Sequence, residues 1–172
     1  STKSGLLRDS VGGSMEALQA DLKMIESELP KGTCVVEFVE SDIFHWEVAL
    51  AGPEGTPYGG GVFRFQMRFP VDFPHKPPHL KCLTPMYHCN IDARGSVCLD
   101  LNDDLLKLRR RPDDKDSSPG RLSAFSVVQA LLSLLAAPVP DDGLVSETCE
   151  MYMRDKQEYN RRAQEWTVRH AT

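Results

Sequence analysis

Two stretches of strict alternation constrain this chain more than any other feature. Phe44, Trp46, Val48 and Leu50 are separated by His45, Glu47 and Ala49; Phe63, Phe65, Met67 and Phe69 are separated by Arg64, Gln66 and Arg68. A period of two sends each apolar set to one side of a pleated strand, so both segments predict strands with one buried and one wet face. Such a sheet cannot leave its apolar face open to water, and a second layer must cover it. That layer is visible further along. Phe125, Val128, Leu132 and Leu135 recur at helical spacing, with Val127, Leu131 and Leu134 filling in around them. A helix apolar on most of its circumference belongs against a sheet.

The remaining elements fall around these. Val35 to Val39 is short and β-branched, and Leu80 to Leu83 can form a fourth strand. Gly52-Pro53-Glu54-Gly55 marks a turn, and prolines at 70, 74, 77 and 78 bar regular structure between the third and fourth strands. Four sequential strands on short links predict an antiparallel meander. Leu18, Leu22, Ile25 and Leu29 predict a helix from Met15 to Leu29, capped by Ser14 and ended by Pro30 and Gly32. Residues 1–13 have no period and contain a Gly-Gly step, so a flexible tail is expected there. Beyond the break at Pro138–Gly143, two helices are expected, about Val145 to Arg154 and Lys156 to Ala171. Tyr159, Ala163, Trp166 and His170 share a face of the second. The expectation is one α+β domain over residues 14–172: an N-terminal helix, a four-stranded antiparallel meander, an ordered loop, then C-terminal helices.

Composition narrows the function. A chain of 172 residues suits one domain and needs neither disulfide nor metal to hold a core. Twenty basic against 25 acidic residues leave a net charge of −5, which gives no footing for nucleic-acid binding. No apolar run reaches the roughly 18 residues that a membrane span needs, and no signal peptide is visible, so a cytosolic or nuclear chain is expected. Five cysteines at irregular spacing, with no CxxC, do not make a disulfide framework. Cys82, His88, Cys89 and Cys98 lack the spacing of a zinc set, and no metal is expected. Gly59-Gly60-Gly61 precedes a strand instead of opening a helix, so it is no phosphate loop.

Chemistry concentrates after the fourth strand. Thr84 to Leu99 has no period, yet it holds Tyr87, His88, Cys89, Asn90, Gly95 and Cys98, residues suited to specific contacts. Cys98 follows Gly95 and Ser96 in a loop where a thiol can be reached, unlike a cysteine inside a strand. Residues 102–121 differ in kind: mixed charge, including Arg109-Arg110-Arg111, then Ser117-Ser118-Pro119-Gly120. They are expected to be a mobile, solvated insertion.

Several blocks together resemble one family. They are Phe44-His45-Trp46, Gly60-Gly61-Val62-Phe63, Phe69-Pro70-x-x-Phe73-Pro74-x-Lys76-Pro77-Pro78, Tyr87-His88-Cys89-Asn90-Ile91, Gly95-Ser96-Val97-Cys98-Leu99-Asp100 and Pro138-x-Pro140-Asp141-Asp142. In this order, from about Met15 onward, the sequence resembles the ubiquitin-conjugating enzymes. The resemblance implies their fold and a thioester on Cys98 with the C-terminus of ubiquitin or a ubiquitin-like protein. It implies receipt from an activating enzyme and transfer to a substrate lysine or a ligase, with ATP spent upstream and no cofactor bound here. A monomer is expected.

Asn90 matches the family asparagine that stabilises an oxyanion, and an amide NH₂ is a donor at any pH. The same amide could equally pin the loop to backbone. Asp142 matches the acid that orients and helps deprotonate the incoming lysine, whose free pKa is about 10.4. The alternative for Asp142 is a cap on the helix near Val145. Asp100 and Asp141 are weaker candidates, Asp100 as support for the nucleophile. His88 reads as architectural. Cys89 stands where the family normally has proline.

Other departures concern partners. Glu16, Ala17 and Ala20 occupy positions often basic in the family, His75 a ligase-facing position usually apolar. The usual Trp-Ser-Pro after the nucleophile is missing, and the insertion is longer than the common loop. A dedicated ligase is the implied partner. A catalytically weak scaffold that only engages a pathway partner is the alternative reading, and a cysteine hydrolase lacks a partnered base.

Overall fold

The computed structural model describes residues 2–99 and 122–172. It is built from α1 (Thr2–Glu28), β1 (Cys34–Val39), β2 (Asp42–Ala51), β3 (Val62–Arg68), β4 (His79–Cys82), α2 (Ala124–Ala136), a 3₁₀ turn (Pro140–Asp142), α3 (Ser146–Arg154) and α4 (Lys156–His170). The strands lie in the order β1-β2-β3-β4, all antiparallel, as the meander predicts. Phe38, Trp46 and Met67 face one another across three strands, as do Val36, Val48 and Phe65. Trp46, Val48, Leu50, Phe63, Phe65 and Met67 are all fully buried, and they share one core with α2. The predicted alternation is therefore the real inner face of the sheet.

The stripe on α2 is rotated from the predicted one. Ala124, Val127, Val128, Ala130, Leu131, Leu134 and Leu135 are buried, while Phe125 and Leu132 are half-buried. On a helix apolar nearly all round, packing and not periodicity chooses the inner side. Ser123 caps α2 by accepting from Ser126 N–H at 3.0 Å, and Ser126 Oγ accepts from Ser123 N–H at 3.0 Å. Asp21 of α1 accepts the Ala124 N–H at 2.8 Å, which ties the first helix to the start of α2.

The N-terminal expectation needs correction. Helix α1 begins at Thr2, so residues 2–13 are helical where an irregular tail was expected. Extending an existing helix costs far less than starting one, and two glycines at about 1 kcal/mol each do not stop it without a proline. Ser14 is thus not a cap. It is buried, and its hydroxyl points at the carbonyls of Val71 and Phe73, each at 2.7 Å. The predicted stripe holds beyond it: Leu18 and Ile25 are buried, Leu22 and Leu29 half-buried.

On α4 the buried residues are Tyr159, Ala163 and Thr167, while Trp166 turns partly outward and stacks with His170 at 5.2 Å. Thr167 escaped the sequence pattern because it is polar. It satisfies its hydroxyl within the helix, on the Ala163 carbonyl at 2.8 Å.

Candidate active site

The loop that carries the candidate nucleophile is laid along the free edge of β4. The Gly95 carbonyl accepts the Cys82 N–H at 2.8 Å, and a Cβ at position 95 would lie 2.1 Å from the Cys82 carbonyl oxygen. With φ at +83° as well, only glycine fits there. Asp92 closes the turn before it, one carboxylate oxygen accepting the Arg94 and Ser96 N–H groups at 2.9 Å each. The chain then returns past Ile91, which bridges to Val97, and the Cys98 N–H donates to the Asn90 carbonyl at 2.8 Å. Cys98 is half-buried and in no disulfide.

Asn90 is fully buried and joins two segments. Its Nδ2 donates to the Val139 carbonyl at 2.8 Å and to the Asp142 carbonyl at 3.2 Å, and its Oδ1 accepts the Val139 N–H at 2.9 Å. The loop-pinning role left open by the sequence is therefore present, and both amide hydrogens are in use. Asn90 thus holds the backbone of Cys98 with its own carbonyl and the 139–142 segment with its side chain.

Asp142 ends the 3₁₀ turn with its side chain exposed, beside exposed Asp141. Helix α3 begins after Val145 with no side-chain cap, so Asp142 does not serve as one. Asp100 and the insertion at 102–121 lie outside the described residues.

His88 is structural in this geometry. Its Nε2 lies 2.9 Å from the Leu134 carbonyl, which can only accept, so Nε2 carries the proton; Nδ1 accepts the Asn90 N–H at 3.0 Å. Burial lowers its pKa to about 4, and the ring is neutral at physiological pH. It is no acid or base for the reaction.

Two contacts at the site, Cys89 with Cys149 and Tyr58 with Tyr159, were not foreseen from the sequence. The Cys89 carbonyl accepts the Leu144 N–H at 2.9 Å and the Val145 N–H at 3.3 Å, while the Cys149 thiol sits 3.6 Å from it. Cys149 fills the space over Gly143, where a Cβ would come within 1.9 Å of its sulfur. Burial first, and then the Cys149 thiol, push the Cys89 pKa up to about 12, so Cys89 is an inert thiol. The turn between β2 and β3 adds Tyr58, whose hydroxyl donates to the Tyr87 carbonyl at 2.7 Å and accepts from Tyr159 OH at 2.7 Å. A glycine straight after Asp141-Asp142 was the one hint of Cys149; nothing local pointed to the tyrosine pair.

This geometry has relatives. A family model described as ubiquitin-conjugating enzyme matches residues 17–167. A provisionally assigned ubiquitin conjugating enzyme from Plasmodium yoelii is 32% identical with a TM-score of 0.75, over 92% of this chain and 96% of that one. The E2 domain of a Toxoplasma gondii ubiquitin conjugating enzyme is 31% identical with a TM-score of 0.71, over 90% of this chain and 97% of that one. The matched span contains the whole sheet, the loop bearing Cys98 and the segment that Asn90 holds. The chain belongs to the ubiquitin-conjugating enzyme family.

Proposed function

We propose that this protein accepts ubiquitin or a ubiquitin-like protein from an activating enzyme as a thioester on Cys98 and passes it to a substrate lysine or a ligase cysteine. The observation that carries the reading is the double hold of Asn90, which links the backbone of Cys98 to the segment ending in Asp142. A thiol suits the task because its thiolate is nucleophilic and leaves well again. In loading, the Cys98 sulfur attacks the activating enzyme's thioester and that enzyme's thiol departs. In discharge, the lysine amine attacks, its proton goes to Asp142 or water, and Cys98 departs as the thiolate.

The oxyanion of discharge needs a donor. The Asn90 bond to the Asp142 carbonyl, at 3.2 Å, is the longer of its two, and exchanging it for the oxyanion frees one N–H. ATP is consumed by the activating enzyme, and this chain binds none. Incubation with activating enzyme, ATP and a panel of modifiers is expected to give an adduct that reducing agent removes. Cys98→Ser is expected to trap a stable ester instead. No adduct with any modifier would leave the scaffold reading in its place.

A further inference from the structure

We infer that Cys89 and Cys149 are a redox-responsive dithiol, which a peroxide joins reversibly into a disulfide that staples the loop around Cys89 to α3. The inference goes beyond the transfer chemistry proposed above and does not depend on it.

The backbone brings the pair together from positions 60 residues apart. The Cys89 carbonyl takes the Leu144 and Val145 amides at 2.9 and 3.3 Å, and the Cys149 N–H donates to the Val145 carbonyl at 2.9 Å. Cys149 therefore sits one helical turn past the joint, and its side chain reaches back over it. Each sulfur touches the other's main chain. The Cys149 Sγ lies 3.6 Å from the Cys89 carbonyl oxygen, and the Cys89 Sγ lies 3.9 Å from the carbonyl oxygen of Thr148, the residue before Cys149. Gly143 leaves room for the Cys149 sulfur, since a Cβ there would come within 1.9 Å of it. The two side chains also interact directly, and the Cys149 thiol helps to keep the proton on Cys89. A disulfide needs two backbones held close together. Here hydrogen bonds hold them whether or not the sulfurs are joined.

Access divides the roles. Cys89 is fully buried and its thiol pKa is pushed up to about 12, so it does not meet a dissolved oxidant as a thiolate. Cys149 is half-buried and is reached first. Burial pushes Cys34 and Cys82 up to about 12 as well, which leaves them poor competitors. In the first step the Cys149 thiolate attacks one oxygen of hydrogen peroxide, the O–O bond breaks, and the hydroxide takes up a proton to leave as water. Cys149 is then a sulfenic acid. In the second step the Cys89 sulfur attacks the Cys149 sulfur and the S–O bond breaks. The departing hydroxide takes the Cys89 proton and leaves as a second water. The two thiols have lost two electrons and two protons, and the peroxide has been reduced to two waters. A dithiol reductant reverses the change.

The test treats the native chain with dilute hydrogen peroxide and maps its disulfides by fragmenting a non-reduced digest. A Cys89–Cys149 link is expected, and dithiothreitol should remove it. The oxidised chain should melt about 5–10 °C higher, as for a staple that closes a long loop. Hydrogen exchange at the Leu144 and Val145 amides should slow about tenfold, because opening the joint now has to strain the staple. Cys149→Ser, close to the native residue in size, should lose the link and both responses to peroxide. Failure to find the link, a disulfide through Cys98 in its place, or the same two responses in Cys149→Ser would overturn the inference. No arm needs an activating enzyme, so failure here leaves the transferase reading standing, and a chain that never loads leaves this inference standing.

Discussion

Asn90 uses one side chain to satisfy three backbone groups, and its removal has two separable consequences. Asn90→Ala leaves the Val139 N–H and two carbonyls without their partner, which should cost about 1–3 kcal/mol of stability. In the transferase reading it should also slow aminolysis by about 10²–10³ while loading stays intact, as expected when one oxyanion donor is lost. Single-turnover assays of each step check this, and equal slowing of both would reject the division. Asp142→Asn should move the pH profile of aminolysis upward, because the lysine then loses its proton without a carboxylate beside it; an unmoved profile removes the role.

His88 makes a prediction independent of activity. Its folded pKa of about 4 lies below the usual 6.5, so at neutral pH both states are neutral and nothing is lost. As pH falls from about 6.5 to 4 the unfolded chain takes up a proton that the folded chain refuses, and stability drops by about 3 kcal/mol. Thermal melts from pH 7 to 4 should show that slope, and His88→Gln, which keeps a donor and an acceptor, should flatten it. Cys98, Asn90 and Asp142 could be named as candidates because each sits in a short block of distinctive neighbours. Cys149 and Tyr159 were not, because they meet Cys89 and Tyr58 from 60 and 101 residues away.

Among the elements, those with one wet face were the readable ones. Strands β2 and β3 alternate cleanly because their outer face meets water, and α1 keeps its stripe from Leu18 to Leu29 for the same reason. Helix α2 carries apolar residues on nearly every side, so periodicity could not choose between the Phe125/Leu132 side and the Val127/Leu131/Leu134 side; packing did. The start of α1 was missed because propagation through Gly12-Gly13 leaves no mark in the sequence. The Ser123–Ser126 capping box makes a test at this scale. Ser123→Ala should cost about 1 kcal/mol by leaving the Ser126 N–H without its acceptor. A two-state denaturant titration should show the lower midpoint with an unchanged slope.

Taken whole, the molecule closes on itself through α4. The Val62 N–H at the start of β3 donates to the Ala171 carbonyl at 2.9 Å, and Thr167 and Ala171 crowd Gly61, where a Cβ would lie 2.6 Å from the Thr167 methyl. The same helix brings Tyr159 to Tyr58, behind the loop that starts at Tyr87. Tyr159→Phe should therefore lower the melting temperature by about 2–4 °C, the shift for a lost hydrogen bond near 1 kcal/mol in a domain of this size. Hydrogen exchange at residues 87–90 should quicken with it.

The carbonyl oxygen of Cys89 is where the first half of the chain meets the last. It receives two main-chain amides from just before α3 and stands beside a thiol, while the residue's own buried thiol lies 3.9 Å from the Thr148 carbonyl. Main-chain atoms belong to every residue type, so position 89 can change its identity without unfastening the joint. That freedom explains how a ring-bearing imino acid, usual in the family here, gives way to a thiol with the architecture intact.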